Sequence, residues 1–175
     1  ALNRAGIDYN NYYAAEIDKH AIKVTQANYP NTIQLGSVTE WKTWDIDWSS
    51  IGLFFGGSPC QGFSFAGKQL AFDDPRSKLF FVYVDILEHI KKHNPKVKFM
   101  LENVKMKKEH LEVINKYLGV EPIFINSALV SAQNRQRFYW CNWEVNQPED
   151  KGILLKDVLE ESASEALNHT QKAID

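Results

Sequence analysis

Hydrophobic residues fall into two kinds of pattern along this chain. Between Lys78 and His93, the apolar residues Leu79, Val82, Tyr83, Ile86, Leu87 and Ile90 recur at i, i+3, i+4, i+7, i+8 and i+11. That spacing predicts a helix with one buried stripe. The other pattern is short apolar runs bounded by turn formers. Tyr12 to Ile17, Ile51 to Phe55, Val97 to Leu101, Pro122 to Ile125 and Phe138 to Trp143 read as strands. Ile51 to Phe55 has no polar alternation, as expected of a strand covered on both faces. Asp18 is placed to cap a helix reaching about Asn28, before Pro30, and a second helix from Lys108 to Leu118 should stop at Gly119. A further short helix is expected near Leu154 to Glu161.

Strands alternating with helices predict an α/β fold with a doubly wound, mostly parallel sheet. In such sheets ligands bind at the carboxyl ends of the strands. Three polar clusters fall at those ends: Glu16-Ile17-Asp18, Ser58-Pro59-Cys60-Gln61 and Glu102-Asn103-Val104. No repeat or linker divides the chain, so one domain is expected. The chain has 175 residues, 44% of them hydrophobic and 24% charged, which suits a single packed core and excludes disorder and coiled coil.

No apolar run approaches the ~20 residues of a membrane span, and Ala1-Leu2-Asn3-Arg4 lacks a signal-peptide layout. A soluble intracellular protein is expected, cytoplasmic if bacterial or phage-like and nuclear if eukaryotic. Two cysteines, Cys60 and Cys141, are too few for a disulfide scaffold, and neither has a partner at metal-ligand spacing. No metal site is expected, and one thiol is left as a candidate nucleophile. The net charge of -2 hides a polarised distribution, with an excess of basic residues between 60 and 110 and of acidic ones after 144. Lys91, Lys92, Lys96, Lys105, Lys107 and Lys108 either solvate a surface or face phosphates.

Each cluster supports two readings. Glu16 is placed to accept hydrogen bonds from ribose hydroxyls, or else joins Asp18 in capping the next helix. Cys60 sits among turn formers beyond a strand, which favours an exposed nucleophile over a small buried apolar residue. With an ordinary thiol it would be only a few per cent thiolate at neutral pH and would need help from its surroundings. Glu102 follows the apolar run Val97 to Leu101, and burial there would raise its pKa toward the range useful for proton donation; otherwise it is a cap or a surface carboxylate. Arg135 and Arg137, in Gln133-Asn134-Arg135-Gln136-Arg137, stand two apart and so would point alike in a strand, as a clamp or as solvated charge.

Taken together, these motifs resemble those of the C5-cytosine DNA methyltransferases. Gly57 to Ser64 looks like the family's nucleophile motif, Glu102-Asn103-Val104 like its second catalytic motif and Gln133 to Arg137 like its arginine motif, in matching order and spacing. Tyr13 to Ile17 looks like the acidic cofactor strand, and Asp74 to Phe80 like the segment between loop and helix. The resemblance covers residues 1 to 160 as a partial catalytic domain with a Rossmann-like S-adenosylmethionine-dependent fold, leaving 161 to 175 as an acidic segment. It implies double-stranded DNA as partner and S-adenosyl-L-methionine as cofactor. It also implies catalytic roles for Cys60, Glu102, Arg135 and Arg137. Glu16, Ile17, Ser37, Pro59 and Leu79 would bind the cofactor, and Gln61, Ser64 and Arg135 the DNA. Asn103 and Gln133 would support the site.

The sequence departs from the family pattern in three places. The Gly-rich cofactor loop would precede Ala1, Ser37 stands where an acidic residue is usual, and only 38 residues follow Arg137, too few for a target-recognition region. A missing segment or a second chain is therefore expected to complete the enzyme, and weak activity is expected of this chain alone. Two other readings stay open, a non-catalytic partner that keeps the fold and a transfer-RNA methyltransferase. The Gly62-Phe63-Ser64 context favours DNA.

Overall fold

A computed structural model describes residues 2–58 and 78–159. Six strands and three α-helices follow in the order β1 (Tyr12–Ala14), α1 (Lys19–Asn28), β2 (Thr32–Gln34), β3 (Leu53–Gly57), α2 (Lys78–His93), β4 (Lys98–Val104), α3 (Lys108–Leu118), β5 (Pro122–Asn126) and β6 (Gln136–Cys141). Strands β1 and β2 form a parallel pair, and a second sheet has the order β3-β4-β6-β5. Within it β3 and β4 are parallel, while β6 runs antiparallel to both β4 and β5. So β3, β4 and β5 share one direction and only β6 is reversed. The α/β, Rossmann-like architecture is as expected, with β6 as its antiparallel element.

Helices α2 and α3 keep the bounds their sequence predicts. The buried face of α2 is wider than the expected stripe, since Phe80 and Val84 join Tyr83, Ile86, Leu87 and Ile90 in the core while Leu79 and Val82 are half-buried. Gly119 ends α3 at φ 70°, its N–H donating to Asn115 O at 2.8 Å. Asp18 caps α1, Oδ1 accepting from His20 N–H at 2.7 Å and Ala21 N–H at 3.0 Å. Alternation on β4 sends Phe99, Leu101 and Asn103 inward, where the two apolar residues join Ile114 and Leu118 of α3 and fully buried Trp140 of β6 in one cluster. The Trp140 indole N–H donates to Asn115 Oδ1 at 2.6 Å, so α3 and β6 are tied as well as packed.

Several strand bounds differ from expectation. β1 stops at Ala14 rather than Ile17, β4 extends through Glu102 to Val104, and β6 begins at Gln136 rather than Phe138. β3 is displaced toward its glycines and its exposure alternates, with Leu53 and Phe55 exposed, so among the described residues it is not covered on both faces. Near the C-terminus a single 3-10 turn, Leu155–Asp157, stands within the expected helix.

The close approach of α2 explains one glycine. A Cβ on Gly56 would lie 2.7 Å from the Tyr83 ring, so only glycine lets this tyrosine pack against β3, where it stacks on Phe54 with ring centres 4.6 Å apart. Burial pushes the Tyr83 phenol above its ordinary pKa, as it does the half-buried Cys141 thiol. No helix among the described residues is long and apolar enough to cross a membrane.

Candidate active site

The sheet edge at the carboxyl ends of β3, β4 and β5 carries the convergence. Gly57, the last residue of β3, is paired with Glu102 of β4, and Glu102 is in turn opposite Tyr139 of β6. Arg137 pairs with Val104, two positions along, which makes it a diagonal neighbour of Glu102 on one face of the antiparallel pair. Long side chains bridge that diagonal. Arg137 Nε lies 2.7 Å from Glu102 Oε1, and Arg135 Nη2 lies 3.3 Å from the same oxygen. The Arg137 contact is an ion pair whose N–H does not point at its partner, so this buried nitrogen makes no aligned hydrogen bond. Its Nη1 donates instead to Gln136 O at 2.8 Å. The glutamate side chain keeps 27% of its exposure, that of Arg137 20% and that of Arg135 45%, so a solute can still reach the cluster.

The other carboxylate oxygen faces β3. A Cβ on Gly57 would stand 3.2 Å from Glu102 Oε2, closer than nearly all real contacts, so glycine at 57 leaves room for the acid. Next to it Asn103, only 2% exposed, donates through Nδ2 to Ser58 O at 3.2 Å and Ser58 Oγ at 3.0 Å. Its Oδ1 accepts from Val104 N–H at 2.8 Å. Asn103 therefore ties the exit of β3 to the end of β4. Of the two readings the sequence left for Glu102, a buried acid or a cap or surface carboxylate, neither describes it fully: it is one member of a half-exposed ion-paired group.

At the β1 end, Glu16 Oε1 accepts from the N–H groups of Ile17 at 2.8 Å and Asp18 at 2.9 Å, which fixes the carboxylate at the start of α1. Capping of α1 falls to Asp18 rather than to Glu16. Ile17 is 74% exposed, an apolar side chain with little to cover it among the described residues. Ser37 caps the 3-10 turn Val38–Thr43: its Oγ accepts from Thr39 N–H at 3.3 Å and lies 2.7 Å from Thr39 Oγ1. Leu79 is half-buried on the first turn of α2, and Gln133 is exposed two residues before Arg135. Pro59, Cys60, Gln61, Ser64, the stretch 74–77 and the acidic segment 161–175 lie outside the described residues. Among the described residues no group of three or more His, Cys, Asp or Glu is arranged to hold a metal ion.

Sequence reasoning passed over Asn126, the last residue of β5, whose side chain holds the backbone of Arg135. The available signal was an Asn closing an apolar run ahead of a turn.

Residues 1–174 match the family described as C-5 cytosine-specific DNA methylase. This chain belongs to that family. It is 34% identical over 171 residues to the type II methyltransferase M.HpaII of Haemophilus parainfluenzae, with 85% of this chain and 46% of that protein aligned. It is 40% identical over 138 residues to M1.ScrFI of Lactococcus lactis subsp. cremoris, covering 73% of this chain and 34% of that protein. The chain thus spans between a third and a half of the length of these relatives. Among solved structures, a putative DNA modification methyltransferase encoded in an E. coli prophage superposes with a TM-score of 0.55 at 25% identity, covering 79% of this chain and 40% of that one. The fold is shared also with the S. pombe Dnmt2 methyltransferase, at a TM-score of 0.56 and 20% identity over 94% of this chain and 52% of that one.

Proposed function

We propose that this chain carries the catalytic centre of a DNA (cytosine-5-)-methyltransferase that uses S-adenosyl-L-methionine. The observation supporting it best is the meeting of one carboxylate and two guanidiniums at the sheet edge, against Gly57 of the strand that leads to Cys60. Cys60 follows Ser58 by two residues in the sequence, and Asn103, the neighbour of Glu102 on β4, holds Ser58.

A cytosine stacked in a duplex is out of reach of side chains, so the base must leave the helix and enter the site. The Cys60 thiolate would add to C6 of the ring. Cytosine accepts that attack only when its N3 is protonated or strongly hydrogen-bonded, and Glu102, given a proton from solvent as the arginines turn from it to the ring, would donate to N3. Arg137 would grip O2 and share the charge that develops there, with Arg135 holding the base, a phosphate or the loop. In the free protein both arginines rest on Glu102, so arrival of the base exchanges ion-pair contacts for contacts to the ring. Once C5 carries the methyl group that the cofactor would supply, C5 would lose its proton to water, the C6–sulfur bond would break to return the thiolate, and N3 would give its proton back to Glu102, which restores the aromatic ring. Gln61 and Ser64 would contact the DNA beside the flipped base, and Gln133 would support the arginines from the start of their segment.

When bound, S-adenosylmethionine supplies an electrophilic methyl group. The β1 end fits such a ligand: a carboxylate held in place by two backbone amides suits ribose hydroxyls, and exposed Ile17 suits the flat face of adenine. Pro59 and Leu79 would pack against the same molecule. Ser37 would meet the adenine amino group through a hydroxyl already drawn into its own turn, the smallest contribution of the set. Exposed Lys105, Lys107 and Lys108, directly after β4, would suit the phosphate backbone.

The test is methyl transfer by the full-length protein from labelled cofactor to duplex DNA. The wild type should label C5 of cytosine, and Cys60→Ser should lower turnover by about 10³-fold or more. Undiminished turnover in Cys60→Ser would overturn the reading.

A further inference from the structure

The two arginines at Glu102 are held in place by different means. Arg137 lies inside β6, where ladder pairs with Val104 and Ile125 set its position. Arg135 precedes the strand, and the last rung of the β5–β6 ladder joins Asn126 to Gln136, one residue short of it. Asn126 makes good that gap with its side chain. Its Oδ1 accepts from the N–H of Arg135 at 3.1 Å and from the N–H of Ala128 at 3.1 Å, while its Nδ2 donates to Asn134 Oδ1 at 3.1 Å. The Arg135 carbonyl accepts from Ser127 N–H at 3.0 Å. Both backbone groups of Arg135 are therefore held by Asn126 and its neighbour, as the chain returns from the excursion 127–135.

We infer that Asn126 is a positioning residue for the arginine pair, acting on the reaction through Arg135. The bond to Ala128 alone would make Asn126 the cap of the 3-10 turn Ser127–Leu129 and nothing more. Its bonds to Arg135 and Asn134 have no part in that cap; they hold the backbone just ahead of the strand and set where the guanidinium starts. For a half-exposed arginine reaching its partner at 3.3 Å, a fixed starting point restricts the rotamers from which the guanidinium meets Glu102 and so lowers the entropy cost of holding it there. What Arg135 contributes to turnover rests on the function proposed above; the positioning itself does not.

The experiment combines a double-mutant cycle with an exchange measurement on the full-length protein. Asn126→Ala should lower kcat about 10-fold or more, with cofactor affinity within about 2-fold of wild type. In an Arg135→Ala background the same change should add less than about 2-fold, since groups acting as one unit are not additive. Asn126→Asp keeps the Oδ1 acceptor and should recover activity to within about 3-fold. Independently of turnover, the Arg135 amide should exchange at least about 10-fold faster in Asn126→Ala, while the amides of Phe138 to Trp140 stay protected. Equal losses in both backgrounds, or an Arg135 amide unchanged by the substitution, would overturn the inference. Should the wild type itself transfer no methyl group, the functional reading fails alone and the exchange result still decides the role of Asn126.

Discussion

Helices α1 and α2 occupy equivalent places in the chain, each followed by a strand parallel to the one before it, yet they are held by different forces. α2 buries six side chains in the main core cluster, while α1 buries none and leaves Val24 63% exposed. β1 and β2 have three residues each and stand as a two-stranded pair, which is marginal alone in water. The proposed cofactor end is thus shaped by local bonds: Glu16 Oε1 on two amides and Asp18 at the helix cap. The proposed base-binding end is shaped by register, because Glu102 and Arg137 meet only when β4 and β6 pair correctly. One site therefore rests on a short-range half and a long-range half, which should fail separately.

Core truncation gives the largest separation. Trp140→Ala removes a fully buried indole and its bond to Asn115, and should cost about 3–5 kcal/mol in denaturant unfolding of the chain. Val24→Ala on α1 should stay within about 0.5 kcal/mol. Comparable losses from the two would erase the distinction drawn here.

A smaller effect separates the regions the other way. Asp18→Ala removes the cap of α1 and should cost about 1 kcal/mol locally, seen as faster amide exchange in Ile22 to Asn28 with α2 unchanged. Spread of the loss into α2 would show the two regions to be one cooperative unit.

The smallest effect is a pH dependence on the α2 side. His89 packs edge-on to Trp41 and Trp48, at 5.2 and 4.8 Å between ring centres, and desolvation, with His93 and Lys92 nearby, holds its pKa below the usual 6.5. A folded-state pKa below the unfolded value means the unfolded chain takes up the proton first. The stabilisation is therefore present above pH 6.5 and is lost as pH falls below it. His89→Gln should flatten that part of the stability profile, measured by unfolding between pH 5 and pH 8; an unaltered slope would remove His89 as its source.

These differences also mark what the sequence could tell. α2 and α3 were legible because a 3.6-residue stripe and a terminal glycine are local signals. The arginine pair was legible as two residues pointing alike. What it meets was less so: that β6 is inserted antiparallel between β4 and β5, bringing Arg137 diagonally to Glu102, depends on pairing across more than thirty residues, which no local pattern encodes. β2 is too short to announce itself. The Trp41, Trp44 and Trp48 turns lack a period, and the packing of Trp41 and Trp48 onto His89, with Trp44 stacked on Trp48, appears only in three dimensions. The role of Asn126 was not legible because its second acceptor bond reaches nine positions along the chain.

The central claim is that the thiol of Cys60 and the Glu102 cluster act on one pyrimidine ring. The direct measurement is incubation of the full-length protein with cofactor and a duplex carrying 5-fluorocytosine, followed by denaturing separation and peptide mapping. Fluorine at C5 blocks the final proton loss, so the account predicts a denaturation-resistant adduct mapped to Cys60, strongly diminished in Glu102→Gln. No adduct with the wild type, or one mapped to Cys141, would contradict it.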